Sequence, residues 1–215
     1  MSTRPGAAYD PGLEAGDLSR LGVVFMGCLA LSGRRAWADT GEISVRCGPE
    51  VRRTSAEAAG RDTTAWLGGG GCLLGLGLSP ALTATTRYAF GLGGELRVPG
   101  DLPKQSQIFH LTRHDLVAGI AWAPSDAVTP VVVASAGATR AAQTGRQWRL
   151  DTPDGERRVP PSLEDRTEWH ALVRLDALLE WRFRDFWSFS GGLFGEWAEA
   201  PGVGALVMLA GYRYL

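Results

Sequence analysis

Polar and apolar residues alternate along residues 168–183, EWHALVRLDALLEWRF. Beyond the first residue, the polar side chains all lie at even-numbered positions: His170, Arg174, Asp176, Glu180 and Arg182. Wound as an α-helix at about 100° per residue, these side chains would surround the axis and leave no apolar stripe. Extended as a β-strand, they share one face, and the opposite face is apolar throughout. The pattern therefore predicts a strand, and one much longer than the usual length of about 5–6 residues.

The same alternation recurs along the chain and predicts eight strands. These strands cover residues 42–51, 64–78, 82–98, 116–122, 128–140, 168–183, 187–197 and 206–214. Short connections (79–81, 124–127, 184–186) alternate with longer ones (52–63, 100–112, 141–167, 199–202). Membrane barrels alternate short periplasmic turns with longer outer loops in this way. We therefore expect an all-β fold, an eight-stranded antiparallel transmembrane β-barrel with up-and-down topology.

Aromatic residues fall near both ends of the predicted strands. The outer belt would hold Trp66, Trp169 and Trp197, and the periplasmic belt Trp122, Trp181, Trp187, Tyr212 and Tyr214. The separation of 12 positions between Trp169 and Trp181 corresponds to a depth of about 30 Å in a tilted strand. This depth is close to the apolar band of a membrane barrel, which is about 25 Å tall.

The faces opposite the apolar ones carry charges of both signs. The predicted lumen cluster comprises Arg87, Glu95, Arg97, Arg174, Asp176, Glu180, Arg182, Glu196 and Arg213, and the wider inward set adds Arg46, Arg113 and Asp115. An eight-stranded barrel is just wide enough for side chains to fill. Because buried charges must be paired, we predict a plug of ion pairs. A narrow ion pathway is the alternative for the same residues.

The N-terminal 38 residues resemble a secretory signal preceded by an extended leader. An apolar core of 12 residues (21–32) follows Arg20, and Ala36-Trp37-Ala38 supplies a small-x-small cleavage pattern. The barrel domain would then span residues 39–215. A buried core segment and a lipoprotein anchored at Cys28 are the alternatives.

Net charge and hydropathy bear on the partners and on how a membrane could be crossed. A formal net charge of −1 argues against nucleic acid as a partner, and no run of residues is apolar enough to form a membrane-spanning helix.

Cys47 and Cys72 fall on outward positions, where we favour two small apolar residues over a disulfide. No Cys/His spacing resembles a metal site, and we predict no cofactor.

The alternating strands, the two belts and the closing LVMLAGYRYL resemble the small eight-stranded outer-membrane β-barrels of the OmpA/OmpX-like class. The resemblance implies export to the outer membrane of a Gram-negative bacterium, contact with its lipid, and recognition by the barrel-assembly machinery. That recognition uses terminal aromatic residues in this class. Tyr212 and Tyr214 match the pattern, although Leu215 extends one residue beyond it.

A structural, anchoring or partner-docking role follows as the leading hypothesis, with loop 141–167 as the docking element. A lipid-modifying enzyme is a rival hypothesis. It would use candidates near the outer strand ends: His110, Thr112, His114, Asp115 and His170. Nothing in the sequence places these groups in catalytic contact, and we predict no enzymatic activity. A soluble secreted β-protein is a third hypothesis, but it would leave the apolar face of residues 169–183 uncovered.

Overall fold

The computed structural model describes residues 41–123, 129–159, 163–184, 187–199 and 201–214. The predicted leader and its cleavage site lie outside the described residues. No helix in the described part of the chain is long and apolar enough to cross a membrane.

Eight antiparallel strands close into a ring, as predicted. The described residues form nine strands, of which all but β6 belong to the ring: β1 (Glu42–Ala58), β2 (Arg61–Ser79), β3 (Leu82–Pro99), β4 (Gln105–Trp122), β5 (Thr129–Thr152), β6 (Gly155–Val159), β7 (Arg166–Arg184), β8 (Trp187–Trp197) and β9 (Pro201–Tyr214). Each ring strand pairs with its sequence neighbour, while β4 pairs with β5, β5 with β7, and β9 with β1. Strand β6 pairs with β5 alone and forms a hairpin outside the ring.

Strand β1 is longer than predicted, and the expected outer loop over 52–63 is wrong. The chain turns at Ala59 and Gly60, whose φ angles are 53° and 69°. Two consecutive positive φ angles are those of a type I′ hairpin turn. Gly48-Pro49 does not interrupt the strand, because the β1–β2 register runs unbroken across it. A Cβ on Gly48 would collide with the carbonyl of Val207 in β9, so glycine permits this close approach.

Two further predicted loops are largely strand. The connection predicted over 100–112 shrinks because β4 begins at Gln105, and the loop predicted over 141–167 contains the β5–β6 hairpin. Beyond the ring, residues 95–99 of β3, 105–110 of β4, 144–152 of β5 and 155–159 of β6 pair side by side. We name this part of the sheet the sheet extension. We call this end of the barrel the hairpin end, and the opposite end, at Pro80-Ala81, the turn end.

Along each ring strand, side chains point alternately into the barrel and away from it. On β7 the faces are as predicted, with Arg174 and Asp176 buried inside and Val173 and Leu175 exposed outside. On β3 the pairing with β4 shifts register between Leu92 and Glu95. A β-bulge inserts an extra residue and reverses the facing beyond it. Val98 is therefore buried on β3 beyond the bulge.

Candidate functional site

The barrel interior is filled by charged side chains of both signs. Among the described residues, six arginines are buried, Arg46, Arg52, Arg87, Arg113, Arg174 and Arg182. Six carboxylates are buried with them, Glu42, Glu50, Asp115, Asp176, Glu180 and Glu196. The two sets cancel in formal charge, which is the condition for holding so many ions away from water.

One group of these charges lies near the turn end, and we name it the turn-end cluster: Glu42, Arg46, Glu180, Arg182 and Tyr212. Arg182 Nη2 donates to Glu42 Oε1 at 2.7 Å, and Arg46 Nη2 lies 3.6 Å from Glu180 Oε2. The Tyr212 hydroxyl donates to Glu180 and contacts Ser188 Oγ at 2.6 Å. Its ring lies beneath both guanidinium groups, 4.0 Å from Arg182 Cζ and 5.2 Å from Arg46 Cζ.

The remaining charges form the central cluster: Glu50, Arg52, Arg87, Arg113, Asp115, Arg174, Asp176 and Glu196. Glu50 accepts from Arg52 and Arg87 through its two oxygens, and Arg52 also pairs with Asp115. Every acid of the cluster contacts more than one arginine. Such a network is cross-linked, so no single pair can open without disturbing its neighbours.

Arg113 bonds to two acids of the central cluster that lie on different strands. Its Nη1 donates to Glu196 at 2.7 Å, and its Nε donates to Asp115 at 2.9 Å. Arg174 Nε donates to Asp176 at 2.9 Å. The Arg174 guanidinium also lies 3.5 Å from the centre of the Phe194 ring, a cation–π contact.

Apolar layers alternate with the charged clusters. Phe194 belongs to a buried apolar group that also contains Ala121, Ala123, Val131, Val133, Leu178, Leu206 and Met208. Along β7, Leu178 follows Asp176 of the central cluster and precedes Glu180 of the turn-end cluster. A second apolar group fills the β1–β4 side of the hairpin end: Ala58, Ala65, Leu67, Val98, Phe109 and Leu111.

Six of the nine predicted lumen residues are buried inside: Arg87, Arg174, Asp176, Glu180, Arg182 and Glu196. The prediction is wrong for Glu95 and Arg97, which are exposed because the bulge on β3 reverses their facing. It is also wrong for Arg213, which is exposed. Strand β9 is apolar on both faces, so its alternation carried little information about direction.

Glu42, Glu50 and Arg52 are interior residues that the predicted lumen set missed. All three share the even-numbered face of β1 with Arg46. Extending the alternation through Gly48-Pro49 would have found Glu50 and Arg52.

The six tryptophans predicted for the belts are exposed on the outer surface: Trp66, Trp122, Trp169, Trp181, Trp187 and Trp197. Tyr212 was predicted to belong to the periplasmic belt, and that prediction is wrong, because its side chain is 6% exposed and points inward. The side chain of Tyr214 lies outside the described residues.

Cys47 and Cys72 form a disulfide between directly paired positions of β1 and β2. Both residues are on the outward face, as predicted. The preference for two separate apolar residues is therefore wrong, because strand register brings the two side chains together.

The histidines and the acid named as catalytic candidates do not converge. Asp115 is buried in the central cluster, whereas His114 points outward and shares a hydrogen bond of 2.7 Å with the Tyr88 hydroxyl. His110 is exposed, and His170 lies on the interior face of β7. Consecutive residues of a strand face opposite sides, which separates the histidine from the acid.

A cavity of about 490 Å³ opens at the hairpin end, and we name it the mouth cavity. Its lining includes Glu57, Asp62, Glu168, His170 and Glu199. Arg113 of the central cluster is also a lining residue, so the cavity borders that cluster.

Ion pairs brace the sheet extension above the ring. Glu156 accepts from Arg149 Nη1 at 2.6 Å and pairs with Arg97, which also lies 3.8 Å from Asp151. The hydrogen bonds from Arg149 and Arg97 hold the pKa of the Glu156 carboxyl below its usual range. The hydrogen bond to Glu156 raises the pKa of Arg97. The hairpin therefore presents a braced surface of mixed charge.

Comparisons with known proteins agree with this architecture. No protein-family model matches the sequence, and no curated protein matches it significantly. Ail, the attachment invasion locus protein of Yersinia pestis, superposes with a TM-score of 0.51 at 13% identity, covering 81% of this chain and 99% of Ail. The complex of Ail with the heparin analogue sucrose octasulfate superposes with the same TM-score at 14% identity and the same coverage. The N-terminal β-barrel domain of Pseudomonas aeruginosa OprF is a weaker match, with a TM-score of 0.46 at 13% identity over 82% of this chain and 100% of that domain. This chain therefore has the fold of the small outer-membrane β-barrels.

Proposed function

We propose that this protein is an integral barrel of the Gram-negative outer membrane, exported through a signal peptide cleaved before Asp39. The observation that carries the proposal is the outward surface of the ring, where large apolar side chains are exposed on all eight strands. An apolar surface of this extent requires a cover, and a lipid bilayer supplies one for a closed barrel. Outer-membrane lipid is thus the first partner, and the barrel-assembly machinery acts during insertion.

We further propose that the lumen is plugged and does not conduct. The balanced clusters leave no excess of one sign to select an ion, and the apolar group around Leu178 and Met208 lies between them. Apolar constrictions oppose the passage of water and ions. The interior therefore stabilises the barrel instead of serving transport.

The sheet extension is the proposed docking element, in place of the flexible loop predicted over 141–167. Binding is favoured when a surface is already ordered, because less conformational entropy is lost. Ail binds a heparin analogue, which demonstrates polyanion binding on this fold. Here Arg97, Arg149 and Arg157 of the extension are paired with acids, so we propose a protein partner of mixed charge on the cell surface or in the envelope.

Cell fractionation combined with gel migration of unboiled samples tests the membrane assignment. We expect the protein in the outer-membrane fraction, migration that changes on boiling, and an N-terminus at Asp39. Recovery in the soluble periplasm would contradict the proposal.

Planar-bilayer recording tests the plug. The purified barrel should pass little or no steady current. Large stable steps of porin size would show that the interior opens and would favour the narrow-pathway alternative or a wider assembly.

Replacing residues 147–159 by a short Gly-Ser turn tests docking. The variant should remain heat-modifiable while losing adhesion of expressing cells to a partner surface that the wild type binds. Retention of wild-type cells on immobilised heparin that is lost in the variant would point instead to a polyanion ligand.

A further inference from the structure

One histidine and two carboxylates converge at the mouth cavity. Glu168 and His170 occupy successive interior positions of β7, and Glu199 lies in the connection between β8 and β9. The Nε2 atom of His170 is 3.8 Å from Glu168 Oε2 and 3.6 Å from Glu199 Oε2. One ligand atom from each residue lies within 4.8 Å of the other two.

We propose that Glu168, His170 and Glu199 bind a divalent transition-metal ion of the zinc type. Two ligand atoms that each lie about 2.0–2.1 Å from a tetrahedral Zn²⁺ ion are separated by about 3.4 Å. The separations from His170 Nε2, 3.6 and 3.8 Å, exceed that value only slightly. Small side-chain rotations would therefore complete three protein ligands and leave the fourth position facing the cavity.

A buried acceptor in the same cavity independently indicates a ligand. Gln143 is 5% exposed and lines the mouth cavity. Its Nε2 donates to the carbonyl of Glu57 at 2.8 Å, which fixes the orientation of the amide. Within the described part of the chain, Gln143 Oε1 has no hydrogen-bond partner. Leaving a buried acceptor without a hydrogen bond costs free energy. A water molecule bound to a cation in the cavity would donate a hydrogen bond to this oxygen.

The charge around the cavity favours a cation. Glu57 and Asp62 add two carboxylates to the lining. Arg166 contacts both Glu57 and Glu168, so one arginine stands against four carboxylates. Arg166 bonds to Glu168 Oε1, which leaves the Oε2 atom of that carboxylate toward His170. Arg113 also lines the cavity, but Asp115 and Glu196 neutralise it.

The imidazole ligand selects the class of ion. Nitrogen ligands suit Zn²⁺, Ni²⁺ and Cu²⁺, whereas Ca²⁺ takes six to eight oxygen ligands. Bound metal would join the β8–β9 connection to β7 across the mouth of the barrel. This role is separate from the proposed lumen plug and docking function.

Isothermal titration calorimetry with Zn²⁺ on the refolded barrel, without a histidine tag, tests the site. We expect one equivalent bound by the wild type. Loss of a residue that merely hydrogen-bonds to a metal ligand weakens binding by about tenfold or more, so His170→Asn and Glu199→Gln, which remove ligands, should weaken it at least as much. The matched control is His110→Asn, which removes an exposed histidine outside the cavity and should leave the affinity unchanged. Imidazole NMR resonances of His170 should shift on addition of Zn²⁺.

Three results would overturn the proposal. The first is no Zn²⁺ binding by wild-type protein that migrates as a folded barrel. The second is equal affinity in wild type and His170→Asn, which would place the ion elsewhere. The third is Ca²⁺ binding as tight as Zn²⁺ and independent of His170, which would indicate an acidic oxygen site.

Discussion

The sulfur atoms of Cys47 and Cys72 are bonded across the β1–β2 pair, where the two Cα atoms lie 4.1 Å apart. The residues are separated by 25 positions in the sequence. Closing a loop of this length restricts the unfolded chain and stabilises the fold by about 3.5 kcal/mol on the chain-entropy model. The disulfide therefore joins the first strand to the second independently of the hydrogen-bond ladder.

Replacing both cysteines by alanine should lower the free energy of unfolding by about 3.5 kcal/mol, because the loop constraint is lost. Urea unfolding in lipid vesicles measures the change. Each single replacement should lower the free energy of unfolding as much as the double one. Dithiothreitol should lower it only in the wild type. Equal midpoints with and without reductant in the wild type would contradict this account.

Asp176→Ala should destabilise the barrel by about 3–5 kcal/mol, the cost of breaking a buried pair. The aspartate accepts from Arg174 at 2.9 Å and lies 3.4 Å from Arg87, so its loss strands buried positive charge. Asp154→Ala is the matched control, since it removes an exposed partner of Arg157 and should cost at most about 1 kcal/mol. Similar losses in the two variants would argue against a tightly coupled interior.

Leu175→Arg tests the membrane-facing surface. Leu175 is 45% exposed on the outward face of β7, and arginine near a bilayer midplane costs about 2–4 kcal/mol. The control is Leu102→Arg in the β3–β4 connection, where leucine is 64% exposed and the change should stay within about 0.5 kcal/mol. Unfolding in vesicles compares them, and a Leu175→Arg barrel as stable as the control would place Leu175 outside the bilayer.

The stability that the ion pairs of Glu156 contribute to the sheet extension should depend on pH. Because the folded pKa of Glu156 is depressed by Arg149 and Arg97, its stabilising contribution is complete above the unfolded pKa and is lost as pH falls through the folded value. An NMR titration of the Glu156 carboxyl should therefore show a midpoint below about 4.3, the ordinary value. Arg149→Ala and Arg97→Ala together should raise that midpoint, and an unchanged midpoint would exclude the two arginines as the cause.

Several features of the candidate site followed from the sequence because they depend only on local alternation. On β7, charges at alternate positions and apolar residues between them fix the facing of Arg174, Asp176, Glu180 and Arg182 in one step. The six tryptophans likewise follow from alternation and strand length. The eight strands were countable because turns separate alternating segments.

Other features could not follow from alternation. The bulge on β3 turns the side chains of Glu95 and Arg97 from the interior face to the outer face. Strand β9 is apolar on both faces, so its sequence does not show which face points inward. For that reason Tyr212 was predicted outside and Arg213 inside, the reverse of the structure. The long polar segments beyond residues 99 and 140 gave no apolar face to count, although cross-strand hydrogen bonds extend them as strands.

The sequence by itself determined the number of ring strands and which face of most strands is apolar, because both are written in the period of two. Only the tertiary structure decided which charges pair, that Cys47 meets Cys72, and that Glu199 approaches His170. Those contacts join residues far apart in the chain, and strand register together with ring closure sets the distances between them.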